Sequence, residues 1–494
     1  MSYNAANVHD LKAAMALGSA DGGAVHCGSG APKDGEVNCR SAGQRPVQAS
    51  LAATLFAAIA LLGCSSPPAP HPTAEAAPQP RECPVELPAD TRCLGGRDSA
   101  GAFYMMASPK DWAGVLVLHA HGGPELGAPS PKRPVDDLKR WAIMVRAGYA
   151  WAGSGFAQGG VAVSAAAADT ERLRQIFVAH VAKPKTTVLH GQSWGAGVAA
   201  KAAEMYAAPG SLAPSYDGIL LSNGVLGGGT RSYDFRLDLR VVYQYLCANH
   251  PRPDEAQYPL WMGLPDGATL TRADLAARAE SCLGLAAPAP KRTPEQQARL
   301  KTIVDVIRIP ERSVLGHLNW ATWHFQDVAL RRSGGRSPWG NIGVRYSGSS
   351  DDAALNTGVL RYAADPQAVA KFGRDSDPNG RVGVPMLGVH GIHDPIAFVE
   401  LTSQFRSTVA AAGQSERLVQ TFSDDAEHSY LSDPVYPALM AELLAWVQRG
   451  EKPSPAAVAQ RCKAMEARFG SGCRLQPNYQ PAELETRVVP RQRL

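Results

Sequence analysis

From Trp112 onward, two kinds of hydrophobic pattern alternate along the chain. The continuous apolar run GVLVLHA (114–120) is what a strand buried on both faces of a parallel sheet requires. VDDLKRWAIMVRAG (135–148) has helical spacing and ends at a glycine, and strand-like YAWAG (149–153) follows. DTERLRQIFVAHV (169–181) predicts a second helix, TTVLH (186–190) a strand, and the small residues after Ser193 a third helix. YDGILLSNG (216–224) and VPMLGVHG (384–391) read as further buried strands, RLVQTF (417–422) as a last short one, and PALMAELLAWVQRG (437–450) as a closing helix. This alternation predicts an α/β fold, a mostly parallel central sheet with helices on both faces.

Between 228 and 380 the alternation breaks. The insert is helix-rich and is bounded by GVLGGGT and DSDPNG. Its expected place is a cap over the carboxyl edge of the sheet, where ligands bind in such folds. The core is then split into 82–227 and 381–449, with 450–494 as a C-terminal tail. DSDPNG has the start of an EF-hand spacing in Asp375, Asp377, Asn379 and Gly380. Pro378 interrupts it and Met386 stands where the twelfth-position Glu belongs, so a plain turn is expected.

Upstream of the core the pattern disappears. Residues 1–44 are polar, Gly/Ala-rich and aperiodic. An uncharged stretch, Leu51 to Gly63, follows Arg45; it is short for a membrane span and of the right length for the apolar part of a signal peptide. It ends in Leu61-Leu62-Gly63-Cys64, which resembles the lipobox of bacterial lipoproteins. The resemblance implies that 1–63 is an N-terminal extension and signal peptide, and that Cys64 is acylated and becomes the first residue. The chain would then be exported and held at the cell envelope, with Ser65 after Cys64 favouring the outer membrane. Residues 64–81 are proline-rich, a tether of up to ~50 Å at about 3.1 Å per residue.

Composition changes this picture in two places. The formal charge of the 494-residue chain is +4, and no Lys/Arg run marks a nucleic-acid partner. Six cysteines follow Cys64: Cys83, Cys93, Cys247, Cys282, Cys462 and Cys473. An even number in an oxidising compartment implies up to three disulfides, and six cysteines allow fifteen pairings. Nearest-neighbour pairing is the expectation, because each such pair lies within one apparent segment. No pair has C-x-x-C spacing, so zinc is not expected.

The candidate chemistry lies at strand ends. Gly-Gln-Ser-Trp-Gly (191–195) joins a strand to a helix, the context in which G-x-S-x-G exposes a serine hydroxyl on a sharp turn. Gly191 and Gly195 relieve crowding, and the helix aims its amide dipoles at Ser193. A nucleophilic serine needs a base, and the base needs an acid to orient it. Asp394 stands just past one later strand and His428 past the next. His390 and His393 compete as bases, but both precede the last strand; Asp424, Asp425 and Glu427 compete as acids beside His428. HAHGGPE after the first strong strand brings Gly122 and Gly123 near the site as oxyanion donors, with the amide of Trp194 as partner. His119 and His121 lack a third ligand, and a structural role beside the glycine loop is expected.

Together these residues resemble the α/β-hydrolase superfamily. The resemblance implies Ser193 as nucleophile, His428 as base, Asp394 as acid, and backbone amides at the oxyanion hole. About 200 residues separate Ser193 from Asp394, a gap that the cap fills. HGGP is similar to prolyl-oligopeptidase-type peptidases, but too little chain precedes the first core strand for their propeller, and Trp194 stands where they carry Tyr. The large cap resembles that of tannases and feruloyl esterases, whose serine and histidine are flanked by cysteines that this chain lacks. Within the cap, Trp320 and Trp323 sit three apart, and Trp261 lies earlier. They pack the cap against the core or form an aromatic wall for an apolar group. The expected function is hydrolysis of small or polymeric carboxylic esters through an acyl-enzyme, with no metal or cofactor. Amide cleavage, or binding on an inactive hydrolase fold, are the alternatives.

Overall fold

The computed structural model describes residues 75–491. The N-terminal extension and signal-like stretch, Cys64, and the tether up to residue 74 lie outside the described residues. Nine strands form one sheet: β1 (Gln79–Pro80), β2 (Arg92–Arg97), β3 (Phe103–Ser108), β4 (Val115–Ala120), β5 (Ala150–Ser154), β6 (Thr186–Gln192), β7 (Gly218–Ser222), β8 (Met386–Gly391) and β9 (Leu418–Ser423). Their spatial order is β1-β2-β3-β5-β4-β6-β7-β8-β9. From β5 to β9 all neighbours are parallel, whereas β1, β2 and β3 join antiparallel. This is the α/β-hydrolase fold with a cap. The chain turns back at β4, which lies between β5 and β6, and such a reversal opens a crevice at the carboxyl ends of the strands.

Alternation along the strands divides the core into two layers. Leu116 and Leu118 of β4 face one layer with helices Val163–His180 and Trp194–Tyr206. Val115 and Val117 face the other, with Lys132–Arg140, Ala142–Arg146 and Val435–Arg449. Both faces being covered explains why these strands read as continuous apolar runs.

Local departures from the sequence reading have physical causes. The helix expected over 135–148 is two helices broken at Trp141, whose φ of −101° and ψ of 20° leave the helical region. The break seats the Trp141 indole, fully buried, edge-on to His190 and Tyr436. The antiparallel strands β1 to β3 were not anticipated. β2 carries Gly95 and Gly96 instead of an apolar run, and Gly96 leaves room for the Tyr104 ring, whose hydroxyl would lie 2.5 Å from a Cβ there. DSDPNG is a structural junction. Asp375 accepts from the amides of Val163 and Ser164, and Asp377 accepts from the amide and hydroxyl of Thr230. The segment from 450 is no loose tail: helix Pro455–Phe469 buries Val458 and Cys462, Leu475 bridges to Ser423, and Arg491 reaches the cap.

The insert between β7 and β8 is helical and continuous with the first core layer through Leu237, Leu239, Val241 and Ile303. No helix among the described residues is long and apolar enough to cross a membrane. Disulfides join Cys83 to Cys93, Cys247 to Cys282, and Cys462 to Cys473. Cys247–Cys282 ties two cap helices across 35 residues. Closing a loop of that length restricts the unfolded chain by about 4 kcal/mol. Replacing Cys247 and Cys282 by Ala is therefore expected to lower unfolding free energy by about 2–4 kcal/mol in denaturant titrations. Unchanged stability would contradict it.

Candidate active site

Ser193 occupies the turn between β6 and the helix Trp194–Tyr206 with φ 55° and ψ −122°, a left-handed conformation that non-glycine residues rarely adopt. The turn closes because its flanks are bare. A Cβ on Gly195 would collide with the carbonyls of Ala120 and His121, and one on Gly191 with the carbonyl of Gly195 and the backbone of Ala196. Hydrogen bonds hold the strained residue: its amide donates to Ser222 (2.9 Å), and its carbonyl accepts from Ala196 and Val225 (each 3.0 Å). Ser193 is 6% exposed.

Three side chains from three strand ends meet here. The Ser193 hydroxyl lies 2.7 Å from Nε2 of His428, and Nδ1 of His428 lies 2.7 Å from Oδ2 of Asp394. With a proton on Nδ1 donated to the carboxylate, Nε2 is left to accept from the serine hydroxyl. The arrangement is thus able to pass the Ser193 proton to a base whose tautomer is set from behind. Asp394 is buried and fully partnered: Oδ1 accepts from the amides of Ile396 (2.8 Å) and Ala397 (3.0 Å), and Oδ2 also accepts from Asn223 Nδ2 (2.9 Å). Burial pushes its carboxyl up, but the charge and hydrogen bond of His428, with His390 and Asn223, outweigh it and hold it below the usual carboxylate range.

The competing residues are used otherwise. His390 donates from Nε2 to the Ala397 carbonyl and is held neutral by burial. His393 pairs with Asp424 on the surface (3.1 Å). Asp425 accepts from the Ser423 hydroxyl and pairs with Arg474, and Glu427 is exposed.

Gly122 lies directly against the serine: a Cβ there would stand 3.0 Å from that of Ser193 and 2.6 Å from Gln192 Nε2. The Gly122 carbonyl accepts from Arg133 Nη2 and from His121 Nδ1. Because C=O and the next N–H oppose each other across a trans peptide, this pins the Gly123 amide the opposite way. Gly123 itself has φ +72°, and no side chain crowds it. The Trp194 amide begins a helix and has no intrahelical acceptor. His119 meets His190 (3.0 Å), which meets the Ser222 hydroxyl (3.0 Å), and no cluster suited to a metal occurs among the described residues.

One helical rod of the cap, 314–332, spans the site. His317 donates to the carbonyl of Pro395 beside Asp394 (3.0 Å), and His324 to that of Pro124 beside Gly123 (2.9 Å). Asp327 accepts from the Val161 amide (2.8 Å), and just before the rod Arg312 donates to the Ala426 carbonyl near His428 (3.3 Å). Most of the rod is π-helical: Trp320–His324 and Asp327–Arg332. That wider winding turns Trp320 and Trp323 toward different neighbours. Trp320 stacks on Tyr233 (4.1 Å) and His324 (4.8 Å), whereas Trp323 lies under Arg272 (4.7 Å). Trp261, Trp320 and Trp323 are all half-buried against the core.

Sequence reasoning missed Asn223, Arg133 and the polar residues of the rod. Asn223 stands at the end of β7 in SNG, with φ 46°, and such a polar residue at a strand end was the available signal.

No protein-family model matches the chain, and no curated protein matches it. Solved structures similar to it include an esterase from Aspergillus oryzae, 12% identical over 74% of this chain and 81% of that one, at a TM-score of 0.38. Feruloyl esterase B from Aspergillus oryzae is 13% identical over 78% and 88%, at 0.39. Carboxyl esterase 2 from Tuber melanosporum is 13% identical over 82% and 92%, at 0.31. At such values the likeness carries no weight for activity.

Burial pushes His190 and His317 down to about 3 and His324 to about 4. In the unfolded chain each binds a proton near pH 6.5. Their stabilising contribution is therefore complete above that pH and is lost as pH falls toward 4, at up to about 1.4 kcal/mol per group per pH unit. Thermal melts are expected to show Tm falling steadily from pH 6.5 to 5; a constant Tm over that range would contradict the neutral burial of these groups.

Proposed function

We propose that this chain is a serine hydrolase of carboxylic esters, with Ser193 as nucleophile, His428 as base and Asp394 as the acid that orients it. The observation that carries the reading is the continuous relay from the Ser193 hydroxyl through His428 to Asp394 at a strained strand-to-helix turn. Strain held at one residue by surrounding hydrogen bonds is a mark of functional sites.

The chemistry balances within these residues. Ser193 Oγ attacks the ester carbonyl carbon as its proton moves to His428 Nε2. The oxyanion accepts hydrogen bonds from the amides at Gly123 and Trp194, with Gly122 giving close approach; each donor contributes about 3–4 kcal/mol in the transition state. The C–O bond breaks, and the alcohol leaves with the proton from His428. A water then attacks the acyl group, gives its proton to His428, and the acid departs as Ser193 regains it. Asp394 stays ionised throughout, consistent with its depressed carboxyl pKa. No step draws on a metal or cofactor.

The place of action follows from the same reading. Three disulfides support an oxidising compartment. The lipobox-like sequence ending at Cys64 supports export and a lipid anchor at the cell envelope, with the proline-rich tether as spacer.

The direct test is Ser193→Ala assayed beside the parent on p-nitrophenyl esters and matched peptide anilides. Ester turnover is expected to fall about a thousandfold or more, and a fluorophosphonate to label Ser193 in the parent. Turnover retained in the variant would overturn the assignment, and comparable anilide cleavage would move it to a peptidase. Asn223→Ala removes a donor to Asp394 and one to the Glu427 carbonyl. It is expected to lower kcat about 10- to 100-fold with a smaller change in KM. A change confined to KM would show that Asn223 does not act through the acid.

A further inference from the structure

Arg236, in the helix Phe235–Cys247 of the cap, is 4% exposed and has no carboxylate within ion-pair distance among the described residues. Its sole hydrogen bond among them is a long one, 3.4 Å from Nη1 to the Ser232 carbonyl. Three rings enclose it instead: Trp320 at 4.6 Å, Phe235 at 4.7 Å and Tyr233 at 5.2 Å. Nε is buried without a partner. Nη2 makes no hydrogen bond among the described residues, yet it is not sealed from solvent.

Nearby arginines show that this is no general habit of the cap. Arg240, one turn on, donates from its terminal nitrogens to the carbonyls of Gly263, Ala321 and His250 and to the Thr322 hydroxyl. Arg491 pairs with both Asp234 and Asp238. Burying a cation without such partners is costly unless something compensates. Cation–π contacts recover part of that cost but leave the hydrogen-bonding capacity of Nη2 unused. Burial lowers the guanidinium to about 10, so it remains charged at neutral pH.

Arg236 also stands at the junction of two contact paths to the site. Through Phe235 and His317 it connects to the Pro395 carbonyl on the acid loop. By way of Trp320 and His324 it connects to the Pro124 carbonyl on the glycine loop. Arg236, Asp394 and His428 all act electrostatically on His317. The guanidinium is thus linked, through two side chains each way, to both loops that flank Ser193.

We infer that Arg236 is a specificity residue that binds a carboxylate carried by the substrate, and that the ester cleaved at Ser193 is a monoester of a dicarboxylic acid or of similar anionic build. This rests on the esterase reading above. One available nitrogen, Nη2, suits a singly charged carboxylate rather than a phosphate, whose three oxygens call for donors from several groups. The surrounding rings make the site less polar than water and so strengthen the contact.

The test uses a matched pair of p-nitrophenyl esters, the hemiglutarate and the neutral valerate, on the parent, Arg236→Met and Arg236→Lys. The ratio of kcat/KM for the anionic over the neutral ester is expected to fall about 10- to 100-fold in Arg236→Met, and less in Arg236→Lys, which keeps the cation. In parallel, glutarate is titrated into Ser193→Ala and into Ser193→Ala/Arg236→Met, with Tm as readout. Glutarate should raise Tm in the first and not in the second. An unchanged ratio overturns the inference and leaves the esterase reading standing. An Arg236-dependent Tm shift with neither ester hydrolysed supports the anion site and overturns the esterase reading. Where neither ester is hydrolysed and glutarate gives no shift, the inference is overturned as well.

Discussion

The site depends on one steric constraint: a side chain is forced into a left-handed turn because nothing else fits between β4 and β6. The backbones approach so closely at Gly191 and Gly195 that only hydrogen is tolerated there. Ser193 takes the strain, about 1–3 kcal/mol for a non-glycine residue in such a conformation. Hydrogen bonds to Ser222, Ala196 and Val225 offset it. These partners come from the end of β7 and from the helix that starts at Trp194, so sheet and helix must be in place before the hydroxyl can point outward. The reversal of chain direction at β4 then leaves a crevice over that hydroxyl, and the loops after β8 and β9 close around it.

Those loops are irregular, and an irregular loop keeps its shape only if its polar backbone finds partners. Here the cap supplies several of them. Arg312, His317, His324 and Asp327 each bind backbone of a different loop around the site. The insert therefore does more than cover the sheet edge. Its position and the geometry of the relay are set together, and the imidazoles that do this are neutral because they are buried. The π-helical stretches widen the rod where it passes the site and turn successive side chains toward different loops.

Much of this architecture was legible in the sequence, for reasons that can be named. Strands covered on both faces leave mainly apolar runs, so β4 to β9 were visible; β2, with paired glycines and mixed exposure, was not, and β3, FYMMAS, lies outside the strand–helix alternation that made the others legible. Ser193, Asp394 and His428 could be picked out because a strand-to-helix motif and chain order locate them, and the folded chain brings them within hydrogen-bond distance. Asn223 and Arg133 act through partners distant in sequence or on another element; a polar residue at a strand end was the one local sign of the first, and no local pattern announces the second. Arg236 and Arg240 were invisible for a related reason. In FRLDLRVVYQYLC both read as a charged helix face, and only tertiary packing shows that they are buried with different partners.

The Arg491 guanidinium has a consequence for how such a molecule can be taken apart. It comes from beyond the last core helix, yet it lies 2.5 Å from Asp238 and 3.3 Å from Asp234, both buried at the root of the cap. Burial raises the Asp234 carboxyl to about 6 even with that cation beside it. Removing one side of a buried pair strands the other charge at several kcal/mol. The cap is thus not a cassette bounded by its two junctions with the sheet. Any chimera that exchanges it between related folds must carry the stretch through Arg491 along with it, two pieces of sequence that behave as one unit of inheritance.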